Sequence, residues 1–435
     1  MTIILAGSDT GETSDEAEEK DKYEGYAPRP LMPRPKTTPP PIPTKTSTKA
    51  RITTTTTRTT TSTTTTTATP TTTGTIPHYF IMCTVGEMFK YDDSYKSANC
   101  DYFIFDSVIP TASGLIGSED QHAWMAFNSM TWTGSPKPEL GISFPGSDVD
   151  QLTAAISQTV ALSALKNLFT KGFRLFGVLN CFGTASLLSS SRSAFEGLFD
   201  KILSSMGAPQ RGARGAFFIG LHLSAGSTAQ SASLMQYATA IKHLNVLILQ
   251  TRITPAPAVN ASDCFIYPTS SWSQTPTENG TYSSVQRAAQ MLSAAPNTNL
   301  SFGISFSMRV NIYELPTEAT TSSAAAKQAC ASRNYGDLNS ICGPSAYSTF
   351  LQDDDCINID FIIGKKFAYT FSNQPCINVL YDMARKEVQK SSKFGVLLAD
   401  INMDTAECIH WERRETLWRV TEASNFLRTL RRDYP

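Results

Sequence analysis

The sequence predicts an α/β protein: a (β/α)8 barrel of the TIM type, with a small insertion between its seventh and eighth strands, behind a disordered N-terminal region. Three observations predict it. Short, wholly apolar runs recur from Tyr79 onward, without the polar alternation of a half-exposed strand, which predicts strands buried on both faces. Stretches with apolar residues at helical spacing separate them. Eight such alternations favour a closed parallel barrel, because parallel strands need crossover helices; a doubly wound open sheet is the other architecture they allow.

Residues 1–35 are nearly continuous charge from Glu12 to Asp21 and then proline-rich, with too little apolar surface to offset the entropy of ordering, so disorder is expected. Residues 36–76 become a threonine tract, the composition of an O-glycosylated, mucin-like linker or of a plain spacer. The barrel is expected over 77–435. Its first strand is Tyr79 to Met82 and its second Tyr102 to Phe105, with Asp106 at the carboxyl end. A third, Leu140 to Phe144, precedes a helix capped by Ser147 or Asp148. Leu162, Leu165 and Phe169 form a helical stripe that ends at Gly172, where the fourth strand starts with Phe173.

The helical set Phe195, Leu198, Phe199, Ile202 and Met206 leads to the fifth strand, Ala216 to Leu221, and a helix over Leu234 to His243 leads to the sixth, Val246 to Leu249. A helix near Val285 to Leu292 precedes the seventh strand, Leu300 to Met308. Residues from about 314 to 366 break the rhythm and are expected to be an insertion. A helix from about Cys376 to Gln389, the eighth strand Phe394 to Asp400 and a helix with Trp418 and Leu427 complete the chain.

A formal net charge of −1 gives no global attraction to nucleic acid or an anionic membrane, and no apolar run reaches the roughly 18 residues of a membrane span. No P-loop, dinucleotide fingerprint or G-x-S-x-G elbow is present, and the five histidines lack metal-ligand spacing, so neither cofactor nor metal is expected. The nine cysteines form no C-x-x-C pair and fit extracellular disulfides. Expected bridges are Cys83–Cys100, Cys330–Cys342 and Cys356–Cys376, and the odd count leaves at least one thiol free or intermolecular. Sequons at Asn260, Asn279 and Asn299 also point to a secreted, extracellular glycoprotein. Met1 to Gly7 is too short and lacks the basic residues of a signal peptide, so the natural start is expected upstream.

The "helix, Gly-Phe, strand" grammar of Lys166 to Gly183 resembles the fourth strand of glycoside hydrolase family 18, the chitinase-like barrels. Phe302 to Arg309 resembles that family's Gly-Ile-Pro-Tyr-Tyr-Gly-Arg strand, and Gly395 to Asp404 its Gly-Ala-Met-Val-Trp-Ser-Leu-Asp-Met-Asp strand. The resemblance implies a barrel and a site for N-acetylglucosamine polymers. It also implies an Asp-x-x-Asp-x-Asp-x-Glu motif on the fourth strand, but those four positions fall on Arg174, Gly177, Leu179 and Cys181. The family's sixth-strand Met-x-Tyr-Asp falls on Leu247 to Gln250, and its floor tryptophan on Ala399. The expected function is therefore a catalytically inactive chitinase-like protein that binds a glycan or an extracellular protein partner. The alternative is a diverged active glycosidase with acids relocated to Glu87, Asp106, Asp400 or Asp404. Candidate ligand-binding residues are Trp124, Trp132, Trp272, Arg309 and Asp106, with loop packing the alternative role for the tryptophans.

Overall fold

The computed structural model describes residues 76–118, 120–132, 137–183, 185–206, 215–223, 228–252, 264–273, 284–295, 300–318, 327–338, 349–352, 358–361, 366–388, 392–404 and 416–433. The acidic segment, nearly all of the linker and the sequons at Asn260, Asn279 and Asn299 lie outside these residues.

Chain order runs β1 (Ile81–Val85), β2 (Tyr102–Phe105), the hairpin β3 (Val108–Thr111) and β4 (Gly114–Gly117), α1 (Gln121–Ser129), β5 (Glu139–Pro145), α2 (Val149–Ile156), α3 (Thr159–Thr170) and β6 (Phe173–Gly183). It continues with α4 (Ala185–Ser205), β7 (Ala216–Leu223), α5 (Thr228–Thr239), β8 (Leu244–Gln250), α6 (Val285–Ser293) and β9 (Ser301–Ser307). Next come β10 (Val310–Glu314), β11 (Ser332–Gly336), β12 (Thr349–Gln352), β13 (Asn358–Phe361) and β14 (Phe367–Thr370). The chain closes with α7 (Gln374–Glu387), β15 (Lys393–Ala399) and α8 (Trp418–Asp433).

Eight strands form a closed parallel barrel in the ring order β1-β2-β5-β6-β7-β8-β9-β15. These are the eight strands predicted from the apolar runs. The first begins at Ile81 rather than Tyr79, although the carbonyls of His78 and Phe80 already accept from Phe394 and Val396 on the neighbouring strand.

Side-chain alternation divides the apolar residues between two cores. Phe80, Met82, Ile104, Leu175, Leu179, Phe218, Val246 and Ile248 fill the barrel. Their neighbours in sequence, among them Ile81, Phe103, Phe176, Phe217 and Leu247, pack outward in the core shared with the helices. Burial on both faces is why these strands are continuous apolar runs. Asp148 caps α2 by accepting from the Gln151 N–H at 2.9 Å, and Gly172 makes the turn into β6 with φ +99°.

The insertion is a five-stranded sheet in the order β11-β10-β14-β13-β12, antiparallel at each of its described pairings. It spans Val310 to Thr370, slightly wider than expected, because β10 follows the seventh barrel strand after two residues. Cys83–Cys100 is bridged as expected. The Cys330–Cys342 pairing is corrected: Cys330 bonds to Cys264, with 5.0 Å between their Cα atoms. A β-bridge between Phe265 and Ala329 and a Cys330 N–H to Cys264 carbonyl bond bring together two segments far apart in sequence. Cys342 lies outside the described residues, as does Cys356, the expected partner of the disulfide-bonded Cys376.

Candidate functional site

The same alternation that fills the barrel places polar groups at its carboxyl-terminal mouth. Residues two beyond an inward apolar side chain stay on the inner face. Thr84 follows Met82, Asp106 follows Ile104, and Gln250 follows Ile248; Ser143 and His222 stand near the ends of β5 and β7. Barrel enzymes keep their chemistry at this end.

Arg252 crosses the centre of the mouth and is 4% exposed. Its Nη2 donates to Asn180 Oδ1 at 2.8 Å and lies 3.9 Å from Asp106 Oδ2, while Nη1 lies 3.5 Å from Asp400 Oδ2. Arg309 meets Asp400 from the other side, with Nη2 donating to Oδ1 at 3.3 Å and Nε 2.9 Å from Oδ2, the latter an ion pair without hydrogen-bond alignment. Asn180 is a hub: its Oδ1 also accepts from Gln250 Nε2 at 3.1 Å and faces His222 Nε2 at 3.4 Å, and its N–H donates to Gln250 Oε1 at 2.9 Å. Ser143 donates through its hydroxyl to Asp106.

The two aspartates titrate in opposite directions. Burial pushes the Asp106 carboxyl up against the opposing pull of Arg252 and Ser143. Burial also works against the charge of Asp400, but Arg309 and Arg252 together outweigh it and hold its pKa below the usual carboxylate range. Burial, reinforced by Arg252, pushes His222 down to about 3, so its imidazole is neutral.

Three mouth residues without a glycine's freedom hold left-handed backbone: Ser107 (φ 64°), Asn180 (φ 60°) and Asp400 (φ 60°). Such conformations persist where the surroundings over-determine them, and they gather at functional sites. At Asn180 the left-handed residue lies within a break in the β6–β7 register between Val178 and Cys181. This break turns the Cys181 side chain away from the mouth. The thiol turns outward into the core shared with the helices, against Gly146, and burial raises its pKa to about 12. It is a free cysteine. Asn180, rather than Cys181, presents its side chain to the mouth. Leu179 points into the barrel, while Gly177 faces the Phe218 backbone and Arg174 donates to the carbonyls of Phe169 and Phe173 at the other end of the strand.

The tryptophans do not converge on this network. Trp124 is buried against Phe105 and Phe127, with its indole N–H on the Leu115 carbonyl, a correction to its assignment as a ligand contact. Trp132 packs on Phe103 and Tyr91, and Trp272 leans on the same outer core. Of the other two candidates, Arg309 reaches this network through Asp400, and Asp106 stands beside Arg252. An aromatic ring at the mouth is Tyr335 from β11, which lies 4.1 Å over the Arg309 guanidinium and donates through its hydroxyl to Glu87 at 2.9 Å. Asp404 is withdrawn from the mouth by a fully buried pair with Arg419. Among the described residues no cluster of His, Cys, Asp and Glu has the arrangement of a metal site, and no helix is long and apolar enough to cross a membrane.

Solved structures share this architecture. One is the Group IV chitinase of Ostrinia furnacalis, 13% identical over 80% of this chain and all of that one, with a TM-score of 0.55. Another is an immunomodulatory active chitinase from Trichuris suis, 10% identical over 80% and 100% of the two chains, TM-score 0.56. The chain has the chitinase-like barrel fold. Human YKL-39, a pseudo-chitinase with retained chitooligosaccharide binding properties, matches the barrel at 12% identity over 80% of this chain and 99% of that one, TM-score 0.53. No protein-family model matches the sequence, and no curated protein matches it by sequence comparison. At this identity the likeness establishes the fold of the chitinase-like barrel and leaves its chemistry to the mouth residues.

Proposed function

We propose that this chain is an exported chitinase-like protein that binds an N-acetylglucosamine-containing glycan at its barrel mouth without hydrolysing it. One observation carries the reading: the fourth barrel strand, Phe173–Gly183, contains no carboxylate and offers the mouth the neutral amide of Asn180. Glycoside hydrolysis needs a positioned acid whose proton reaches the leaving oxygen. Asp400 is committed to two guanidinium groups, and Asp106 holds the Ser143 hydroxyl. The disulfides Cys83–Cys100 and Cys264–Cys330 support an oxidising compartment.

The raised pKa of Asp106 favours a second reading, a diverged glycosidase with Asp106 as its acid. The two readings separate when the full chain is incubated with N-acetylglucosamine oligomers between about pH 4 and 8 while heat of binding and new reducing ends are measured together. Saturable binding without product is expected. Product release that disappears in Asp106→Asn replaces the first reading with the second. Absence of both binding and product removes the glycan and leaves a protein partner.

A further inference from the structure

Arg252 is incompletely matched by its surroundings. A guanidinium has five N–H donors in a planar fork. Among the described residues two of its hydrogen bonds are made, Nη1 to Asp400 and Nη2 to the neutral Asn180 oxygen, and its buried Nε has no acceptor. The nearest second carboxylate, Asp106, stands 3.9 Å away, beyond hydrogen-bond reach. Asp400 is closer to Arg309 than to Arg252, at 2.9 against 3.5 Å, so one negative charge is shared between two cations. A buried donor left unsatisfied is costly, and an oxyanion is the acceptor that a guanidinium edge fits best.

We propose that the mouth selects an acidic saccharide, one carrying a carboxylate or sulfate group, and that the Arg252 guanidinium, whose Nε lacks an acceptor, receives that group. The inference rests on the glycan-binding reading above and names the class of sugar. Arg309, 4.1 Å from the centre of the Tyr335 ring, supplies a second positive charge nearby. Among the described residues, the charged and titratable groups around the Arg252 head are Asp106 from β2, Asp400 after β15, Arg309 after β9 and His222 from β7, with Glu87 after β1 engaged by Tyr335. Asp400 keeps its charge above its lowered pKa, and His222 stays neutral above about pH 4. Asp106 is the group that changes. As pH rises through its raised pKa, its carboxylate becomes a competing anion beside Arg252, so an acidic sugar binds more weakly.

The test uses calorimetry on the full chain with three ligands at low and at raised ionic strength: a chitin tetramer, a tetramer alternating glucuronate with N-acetylglucosamine, and inorganic sulfate. The acidic tetramer is expected to bind about tenfold or more tighter than the neutral one, and its affinity to fall as pH rises through the raised pKa of Asp106 and as salt is added. Asn180→Asp, nearly isosteric and placed to accept the same hydrogen bonds, puts a carboxylate beside Arg252 and should abolish that preference. Arg252→Gln should abolish it too; should that variant fail to fold, Asn180→Asp and the wild-type pH series decide. Equal affinity for the two tetramers overturns this inference and leaves glycan binding standing, whereas binding of neither overturns both. A preference that persists in Asn180→Asp and does not change with pH places the anion elsewhere and overturns the role of Arg252. Sulfate binding as tightly as the acidic tetramer overturns a saccharide site in favour of a simple oxyanion site.

Discussion

At the scale of single residues, close packing along β6 means that carboxylates placed at Gly177 or Cys181 should fail structurally before they could act chemically. A Cβ on Gly177 would stand 2.3 Å from the Phe218 carbonyl oxygen, backbone that cannot swing aside. Cys181→Glu would drive a carboxyl into the apolar core beneath the helices. Both Gly177→Asp and Cys181→Glu are expected to cost about 3 kcal/mol or more in urea unfolding and to yield no glycosidase activity. A Cys181→Glu protein as stable as the wild type would contradict the outward placement of this thiol. The mouth aspartates differ in sign. Asp400, with its lowered pKa, contributes stability that is present above its unfolded value of about 3.9 and is lost as pH falls through the folded one. Asp106, with its raised pKa, contributes stability that is present at low pH and is lost as pH rises through the folded value. Asp400→Asn should therefore cost about 3 kcal/mol at neutral pH, with the deficit shrinking toward pH 3, whereas Asp106→Asn should be nearly neutral at pH 7 and costlier in acid. Melting curves of both variants over that range check the signs, and parallel curves would refute them.

At the scale of elements, the barrel strands were legible because burial on both faces writes itself as an unbroken apolar run, and Asp148 was legible as a cap because its carboxylate follows the helix-start rule. The polar mouth was partly legible: Asp106 and Arg309 stand at strand ends, and the same alternation leads from Ile248 to Gln250 and on toward Arg252. Asn180 was not, since counting by twos along β6 selects Cys181, and the register break that reverses the faces has no mark in the sequence. The hairpin β3–β4 and the sheet of the insertion were also missed, because strands with a solvated face lack continuous apolar runs. Cysteine spacing favoured the short Cys330–Cys342 loop, while the actual bridge joins Cys264 and Cys330 across a separation of 66 residues. That bridge ties the segment just before β11, hence Tyr335, to the connection after β8. The Cys264→Ala/Cys330→Ala pair should loosen β11 and raise proteolytic cleavage and hydrogen exchange there, with the barrel strands still protected. Exchange that rises equally in β6 and β7 would mean that the bridge supports the whole barrel.

At the scale of the whole described molecule, the closed barrel, the insertion and the C-terminal helix meet at one buried arginine. Arg419, on the first turn of α8, donates through Nε to Asp404 at 2.6 Å, through Nη1 to the Ser372 carbonyl at 3.0 Å and through Nη2 to the Met308 carbonyl at 2.7 Å. Asp404 follows the eighth barrel strand, Met308 follows the seventh, and Ser372 follows the last strand of the insertion, so one planar fork joins all three segments to the helix. The Val420 N–H completes the carboxylate's partners at 3.2 Å. The pair is fully buried on both sides, and removing one member leaves an uncompensated charge where no water reaches it. Arg419→Ala is therefore expected to cost about 3–5 kcal/mol in urea unfolding. Arg419→Lys should recover only part of this, because an ammonium cannot present three divergent donors in the geometry of the fork. Replacing the pair together, Arg419→Met with Asp404→Leu, should be milder than Arg419→Ala alone, since no lone charge is left behind. A double replacement as damaging as the sum of its two parts would show that the carbonyl bonds to Met308 and Ser372, rather than the ion pair, hold the helix to the barrel and the insertion.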